Sequence, residues 1–203
     1  MTTFLLIRHG ETDWNAAGRW QGHADIPLNK RGQQQAVALA ARLAGHPISA
    51  IISSDLQRTA QTAVPLATAH NLPIIHDPIW RERDVGQFSG LTTAEIIEQL
   101  PEVWEARVNG VMNPPGGELY EQFHERAARA FAGLTAVYQN GETVAIISHG
   151  GTLGAVISHV LGIPPTQHPR FSLRGNTGIS TIEVGEHGTR LLGLNDTCHL
   201  NHL

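Results

Sequence analysis

Two histidines of this chain each follow a short apolar segment and precede a glycine. Leu5-Leu6-Ile7-Arg8-His9-Gly10 lies near the start, and Val144-Ala145-Ile146-Ile147-Ser148-His149-Gly150 repeats the pattern far along the chain. Both segments are typical of buried strands, and an α/β sheet binds its ligands just beyond the carboxyl ends of such strands. If the two strands are neighbours, the histidines converge. A lone histidine is usually structural, but this pair, with Arg8 beside the first, suits a nucleophile in an anion-binding site.

Two further charged residues are candidates because of where they lie. Arg58 falls in the first turn of a predicted helix, where the helix dipole disfavours a cation. An anion bound between Arg58 and that helix terminus would resolve the conflict. Glu82 lies in an irregular, charged segment over residues 79–90. Taken singly, Arg58 and Glu82 are interpreted more readily as a solvated arginine and a solvated loop carboxylate.

Strands and helices alternate along the chain. We predict strands over residues 4–7, 48–53, 73–76 and 144–148, and a terminal pair over 178–184 and 189–194 joined by a turn. Amphipathic spacing predicts helices over 29–44, 121–138 and 151–161, and one from Leu56 that has Ser54 and Asp55 as cap candidates and is kinked or broken at Pro65. This alternation predicts an α/β fold, a three-layer α/β/α sandwich around a mainly parallel sheet with an antiparallel edge.

The length of 203 residues predicts one domain over 1–203 with a sizeable core. An inserted cap region is expected at about 77–120, where one or two helices are interrupted by Pro101 and followed by the turn Pro114-Pro115-Gly116-Gly117. The loop over 10–29 is polar and contains glycine, so it could wrap a ligand. Its candidate substrate-binding residues are Asn15, Gln21 and Gly22.

Composition excludes several classes of function. A formal net charge of −4 gives no general attraction to nucleic acid or anionic membrane, so anion binding has to come from local arginines. Cys198 is the one cysteine, and no signal-peptide pattern or membrane-spanning apolar run is present, so we expect a cytoplasmic protein. The 12 histidines form no recognisable metal-binding motif. We therefore expect no metal and no other cofactor.

The segment LLIRHGETDWN, residues 5–15, closely resembles the signature of the histidine phosphatase superfamily, the phosphoglycerate mutase-like proteins. Four further segments recur in the order expected for that family, and the resemblance spans nearly the whole chain. They are SSDLQRTA at 53–60, RER at 81–83, PGGE at 115–118 and SHG at 148–150. Each segment is weak alone, but the set is specific. The superfamily fold agrees with the predicted sandwich.

The resemblance implies a metal-independent reaction through phosphohistidine. His9 would attack phosphorus, while Arg8, Arg58 and His149 would clamp the phosphoryl oxygens. Asn15 and the backbone near Gly150 would be lesser donors. Glu82 would first protonate the leaving oxygen and then deprotonate the water that attacks phosphohistidine.

The same resemblance leaves the reaction open between hydrolysis and phosphoryl transfer. Cofactor-dependent mutases of the family carry a longer segment with adjacent arginines before the PPGGE block. Here the segment is short, residues 105–113, and Arg107 is its single arginine. We therefore favour a phosphatase, with a cofactor-dependent phosphoglycerate mutase as the alternative. A non-catalytic phospholigand-binding module is a minor alternative. Leu119 replaces the small hydroxyl residue usual after Gly-Gly-Glu, which puts a helix cap or a pocket contact in doubt.

The ending NDTCHL, residues 195–200, resembles that of small metal-independent phosphatases, phosphoserine phosphatases among them. Our hypothesis is a small phosphomonoester substrate that bears a carboxylate, of the phosphoserine or phosphoglycerate type. Arg83 or Arg107 would bind the carboxylate. A homodimer is an expectation from the family alone.

Overall fold

A six-stranded mixed sheet forms the centre of the molecule in the computed structural model, which describes residues 1–106, 113–165 and 171–203. Its strands are β1 (Thr2–Arg8), β2 (Ile48–Ser53), β3 (Ile74–His76), β4 (Thr143–Ser148), β5 (Ile179–Gly185) and β6 (Gly188–Asp196). Their order across the sheet is β3-β2-β4-β1-β5-β6. The first four are parallel, and β5 and β6 are antiparallel to their neighbours. The predicted mainly parallel sheet with an antiparallel edge is confirmed.

Helices cover both faces of this sheet. They are α1 (Asp13–Ala16), α2 (Lys30–Leu43), α3 (Gln57–His70), α4 (Thr93–Gln99), α5 (Pro101–Glu105), α6 (Tyr120–Val137) and α7 (Gly150–Val160). Because side chains alternate along a strand, β1 places Leu5 and Ile7 against α2 and α3, and Phe4 and Leu6 against α6 and α7. The two apolar cores on opposite faces make the three-layer sandwich.

The start of α3 differs from the prediction. Leu56 is its N-cap and makes no side-chain capping bond, so Ser54 and Asp55 are not the caps. Their side chains bond elsewhere, Ser54 to His149 and Asp55 to Arg81. The helix also continues through Pro65 without a break, since its buried face remains packed against α2.

The N-caps of two other helices, α1 and α6, can be compared with what the sequence indicated. Sequence reasoning missed α1, whose four residues are too few for an amphipathic pattern, although Thr12 and Asn15 form a complete capping box. At α6 the N-cap is Leu119, which makes no side-chain capping bond, as its replacement of a hydroxyl residue implied.

The chain between β3 and α6 adds no strand to the sheet in its described parts, 77–106 and 113–119. It contains 3₁₀ turns at Pro78–Trp80 and Gly86–Phe88, then α4 and α5. Val85, Phe88 and Ile96 form a small apolar core of its own. That this region acts as a cap stays a prediction. Across the described residues, no helix is long and apolar enough to cross a membrane.

Candidate active site

The two histidines singled out in the sequence meet at one end of the sheet. Neighbouring strands β1 and β4 run in parallel with Arg8 opposite Ser148, so His9 and His149 both lie one residue beyond the sheet. The backbone N–H of His9 still donates to the carbonyl of Ser148, at 2.9 Å. The ring centroids are 5.3 Å apart, and both side chains are buried. The predicted convergence of the histidines is therefore seen in the structure.

Hydrogen bonding fixes the tautomer of His9. Its Nδ1 lies 2.7 Å from the carbonyl oxygen of Gly10, which can only accept, so Nδ1 carries the proton. Burial, together with the charges of Arg58 and Arg8, holds the pKa of His9 well below its ordinary value. The ring is thus neutral at physiological pH, and Nε2 has a free lone pair. That is the state required of a nitrogen nucleophile.

The hydrogen-bond partners of His149 select the other neutral tautomer, with the proton on Nε2 and not on Nδ1. Arg58 Nε donates to His149 Nδ1 at 3.2 Å, so the proton of the neutral ring is on Nε2. This Nε2–H group lies 3.0 Å from the hydroxyl oxygen of Ser54, to which it donates. Burial and the charge of Arg58 hold the pKa of His149 well below its ordinary value.

Arg58 is fully buried at the first turn of α3. Besides His149, it donates to the carbonyl oxygens of Gly22 at 2.8 Å and Ala24 at 2.7 Å. Burial lowers the pKa of Arg58 to about 10, so the guanidinium stays charged at neutral pH. Carbonyl dipoles from the loop after β1 therefore offset the unfavourable position that the sequence indicated for this cation.

Arg8 reaches across to the segment before β5. Its Nη1 donates to the carbonyl oxygens of Leu173, at 3.4 Å, and Arg174. Its Nε is buried and has no hydrogen-bond partner within the described part of the chain. A Cβ placed on Gly150 would lie 3.4 Å from this Nε. Burial lowers the pKa of Arg8, and the charge of Glu82 opposes that effect.

The carboxylate of Glu82 is held at the N-terminus of α7. The backbone N–H of Gly151 donates to Oε2 at 2.9 Å, and that of Arg83 donates to Oε1 at 2.9 Å. A Cβ on Gly151 would lie only 2.3 Å from Oε1. Glycine at position 151 is therefore what lets the carboxylate approach the helix, whose N-terminus favours a negative charge.

Sequence reasoning missed Arg126, which fixes the backbone around Glu82. Its side chain donates to the carbonyl oxygens of Ile79 at 2.7 Å, Arg81 at 2.9 Å and Glu82 at 3.2 Å. It also forms a bidentate ion pair with Glu118, at 2.9 and 2.7 Å. On α6 alone, Arg126 looked like one of the ordinary polar residues of an amphipathic helix. The one sequence feature that could have indicated its role was Glu118 of the PGGE segment, which needs a cationic partner.

The remaining predicted residues border one cavity of about 900 Å³ that also contains His9, Arg58, His149 and Glu82. Asn15, Gln21, Gly22, Arg83 and Gly150 all line it. Gln21 Oε1 is buried without a partner among residues that are described, and Arg83 donates to the carbonyl of Glu118 and to Asn113. Arg107 lies outside the described residues.

Comparison with known proteins agrees with this geometry. Residues 4–197 match the histidine phosphatase superfamily (branch 1). The chain belongs to the histidine phosphatase superfamily. Among curated superfamily members, it is 38% identical over 189 residues to the probable phosphoglycerate mutase GpmB of Salmonella choleraesuis (strain SC-B67), covering 92% of this chain and 86% of that protein.

Solved structures of the superfamily add two phosphatases. A mycobacterial glucosyl-3-phosphoglycerate phosphatase superposes with a TM-score of 0.86 at 31% identity, over 96% of this chain and 99% of that one. The phosphoserine phosphatase of Entamoeba histolytica, solved in complex with 3-phosphoglyceric acid, gives a TM-score of 0.85 at 31% identity, over 98% and 100%. The chain is thus similar both to phosphatases and to a protein named as a mutase.

Proposed function

We propose that this protein is a metal-independent phosphomonoesterase that works through a phosphohistidine formed on His9. The observation that carries the proposal is the neutral, buried His9 ring, whose Nδ1 donates to the carbonyl of Gly10 and whose Nε2 therefore carries the lone pair. In the first step Nε2 bonds to phosphorus as the bond to the ester oxygen breaks. In the second step water takes the phosphoryl group, and His9 returns to its neutral form.

Charge around His9 supports the transfer of a phosphoryl group. Arg58 is buried and Arg8 is half-buried in the same cavity, and Arg8 Nε lacks a hydrogen-bond acceptor among the described residues. Phosphoryl transfer depends mainly on positioning and on neutralising the negative oxygens. In our proposal the two arginines bind those oxygens, with Asn15 and the backbone at Gly150 as further donors. His149 would join them by exchanging Ser54 Oγ for a phosphoryl oxygen as the acceptor of its Nε2–H.

Glu82 is our proposed proton donor and acceptor. Its carboxylate is held in the same cavity as His9 by two backbone N–H groups. As an acid it would give a proton to the leaving alkoxide, and as a base it would take one from the attacking water. A positioned acid–base group contributes about 10²–10⁴-fold to such reactions.

For the substrate we propose a carboxylate-bearing phosphate ester of the phosphoserine or phosphoglycerate type. Arg83 follows Glu82 in the chain and lines the same cavity, and its guanidinium group lies 5.2 Å from the centre of the Tyr120 ring. The names of two superfamily structures, a phosphoserine phosphatase and a glucosyl-3-phosphoglycerate phosphatase, support this class. The name of the curated relatives supports the alternative, a cofactor-dependent phosphoglycerate mutase.

The test measures phosphate release from phosphoserine and 3-phosphoglycerate with a chelator present. Conversion of 3- to 2-phosphoglycerate is followed in parallel, with a bisphosphate primer. We expect phosphate release, together with a single added phosphoryl group on the Glu82→Gln protein that is absent after His9→Gln. His187→Gln, which alters an exposed histidine in the turn before β6, is the matched control. Isomerisation without phosphate release would instead establish the mutase, and no phosphoprotein from any monoester would indicate a binding module.

A further inference from the structure

A glycine in the middle of α7 has no packing reason to be there. Gly154 lies inside the helix Gly150–Val160, where glycine is less favourable than alanine. Among the described residues, a Cβ at this position would meet no heavy atom within 4 Å, unlike one at Gly151, which would collide with Glu82. Gly154 lines the same cavity as His9. Its missing side chain therefore leaves a part of this cavity open.

An aromatic surface on α6 borders the same cavity. Tyr120, Phe123 and His124 have the spacing that puts residues on one helix face, and all three line the cavity. The ring centroids of Tyr120 and His124 are 4.4 Å apart, and Phe123 meets His124 edge to face at 5.7 Å. Phe171 adds a fourth ring. Phe123 and His124 are mostly buried, so the partly exposed rings of Tyr120 and Phe171 are the ones that a ligand can reach. Aromatic rings bind other rings through stacking and edge contacts.

Ser158, one turn beyond Gly154 on α7, also lines the cavity. It is buried, with 1% of its surface exposed, and its hydroxyl has no partner anywhere in the described ranges. A serine within a helix commonly donates to the carbonyl four residues earlier, which here is that of Gly154, but this bond is not made. A buried hydroxyl without a partner is unfavourable, so a polar group on a ligand would stabilise it.

The cavity is large for a small phosphate ester. Its volume of about 900 Å³ is near the top of the usual range for small-molecule sites, about 300–1,000 Å³. Phosphoserine would occupy the phosphoryl end and the neighbourhood of Arg83 only. The region along Gly154 and Ser158 would then hold nothing but water.

We infer that the leaving group carries a ring with a polar substituent, which lies over Gly154 against the aromatic face of α6 and bonds Ser158. This inference rests on the proposed function, because it concerns what is attached to the transferred phosphate. It extends the carboxylate-bearing ester of that proposal to a larger molecule. Gly154 is then a residue that determines specificity without touching the reacting atoms.

The test compares three esters whose alkoxide leaving groups have nearly the same basicity: propyl phosphate, 3-phenylpropyl phosphate and 3-(4-hydroxyphenyl)propyl phosphate. We expect the wild type to prefer the ring esters over propyl phosphate by at least about tenfold in kcat/KM. Gly154→Leu should abolish that preference while changing the propyl phosphate value by less than about twofold. Gly154→Ala should act in the same direction with a smaller effect. Gly133→Leu is the matched control, at an exposed helix glycine where the described part of the chain likewise places no atom within 4 Å of an added Cβ.

Ser158→Ala should remove any preference for the hydroxylated ring over the plain ring and leave the propyl ester unaffected. The inference is overturned if the wild type turns over all three esters equally, or if Gly154→Leu slows all three alike. These outcomes are distinct from failure of the proposed function, in which no ester would give phosphohistidine.

Discussion

Replacing Gly151 by alanine tests the proposed acid–base role of Glu82 without changing any titratable group. The new Cβ would lie 2.3 Å from Glu82 Oε1, 3.0 Å from its Cδ and 3.1 Å from Oε2, whereas ordinary contacts begin near 3.4 Å. The carboxylate must therefore move by about 1 Å, a displacement that can cost about 10²-fold in rate. The bond from the Gly151 N–H, at 2.9 Å, would be lost or lengthened. Hydrogen bonds to charged groups contribute about 1.5–3 kcal/mol.

We expect kcat/KM for phosphoserine to fall by about 10²-fold, because its alkoxide leaving group needs a proton. The value for p-nitrophenyl phosphate should fall far less, since nitrophenolate leaves without protonation. Stopped-flow measurements should show a burst of nitrophenolate, because phosphohistidine still forms rapidly while the base that activates water for its hydrolysis is misplaced. Any loss of stability should stay below the about 1.5–3 kcal/mol of that hydrogen bond, because alanine is the better helix former by about 1 kcal/mol.

The matched control is Gly133→Ala, at a helix glycine of α6 that does not line the cavity and whose added Cβ would meet no atom of residues 1–106, 113–165 or 171–203 within 4 Å. It should leave both substrates unchanged. Equal slowing of phosphoserine and p-nitrophenyl phosphate by Gly151→Ala would show that the position of Glu82 does not govern protonation of the leaving group. The acid–base assignment would then be wrong.

Three further predictions concern groups around the site. His9 and His149 are held neutral in the folded protein, whereas each has a pKa near 6.5 in the unfolded chain. Their contribution to stability is complete above that unfolded pKa and is lost below it, so lowering the pH from 7.5 to 5.5 should reduce the free energy of unfolding by about 1.4 kcal/mol for each. Urea denaturation of wild type and His9→Gln measures the difference. Arg126→Lys should slow phosphoserine more than p-nitrophenyl phosphate, because lysine cannot replace the bidentate contacts that fix the backbone at Glu82, and equal slowing would contradict this. Thr177 has a left-handed backbone with φ of 53°, and its N–H donates to the carbonyl of His9, while its hydroxyl lies 2.9 Å from His199 Nε2. If His199 holds Thr177 in this strained conformation, His199→Ala should slow phosphohistidine formation, and Thr177→Gly should restore it in that background because glycine adopts the conformation without strain. Failure of the restoration would mean that His199 acts in another way.

The ends of strands were the most informative part of the sequence. Short apolar runs that end in His-Gly pairs indicated two buried strands, and parallel pairing of β1 with β4 then brings His9 and His149 together by register alone. The apolar residues of α2 and α6 predicted these two helices equally well, because burial of one helix face imposes a spacing near 3.6 residues.

Contacts made by long side chains across the fold were not visible in the sequence. Arg126 lies more than 40 positions from Ile79 to Glu82, whose carbonyls it binds, and no periodic pattern records such a contact. Ser54 looked like a helix cap because its type and place suit one, yet its hydroxyl accepts from His149 instead. Local propensity is overridden where a buried ring has a stronger need for a partner.

From the charges in the site we predict which group titrates when activity is lost at low pH. Burial lowers the pKa values of Arg8 and Arg58, and the carboxylate of Glu82 opposes this lowering at both, joined by that of Asp25 at Arg58. A dianionic phosphoryl group would neutralise the remaining charge, whereas protonating His9 would add to it. The nucleophile therefore stays unprotonated below pH 6.5, while phosphate esters take up a proton near pH 6. We expect the acid limb of kcat/KM to shift with the second pKa of the ester when substrates of different pKa are compared. A limb that stayed at one pH for every ester would mean that a group of the enzyme titrates there, and that His9 is not held neutral as its surroundings require.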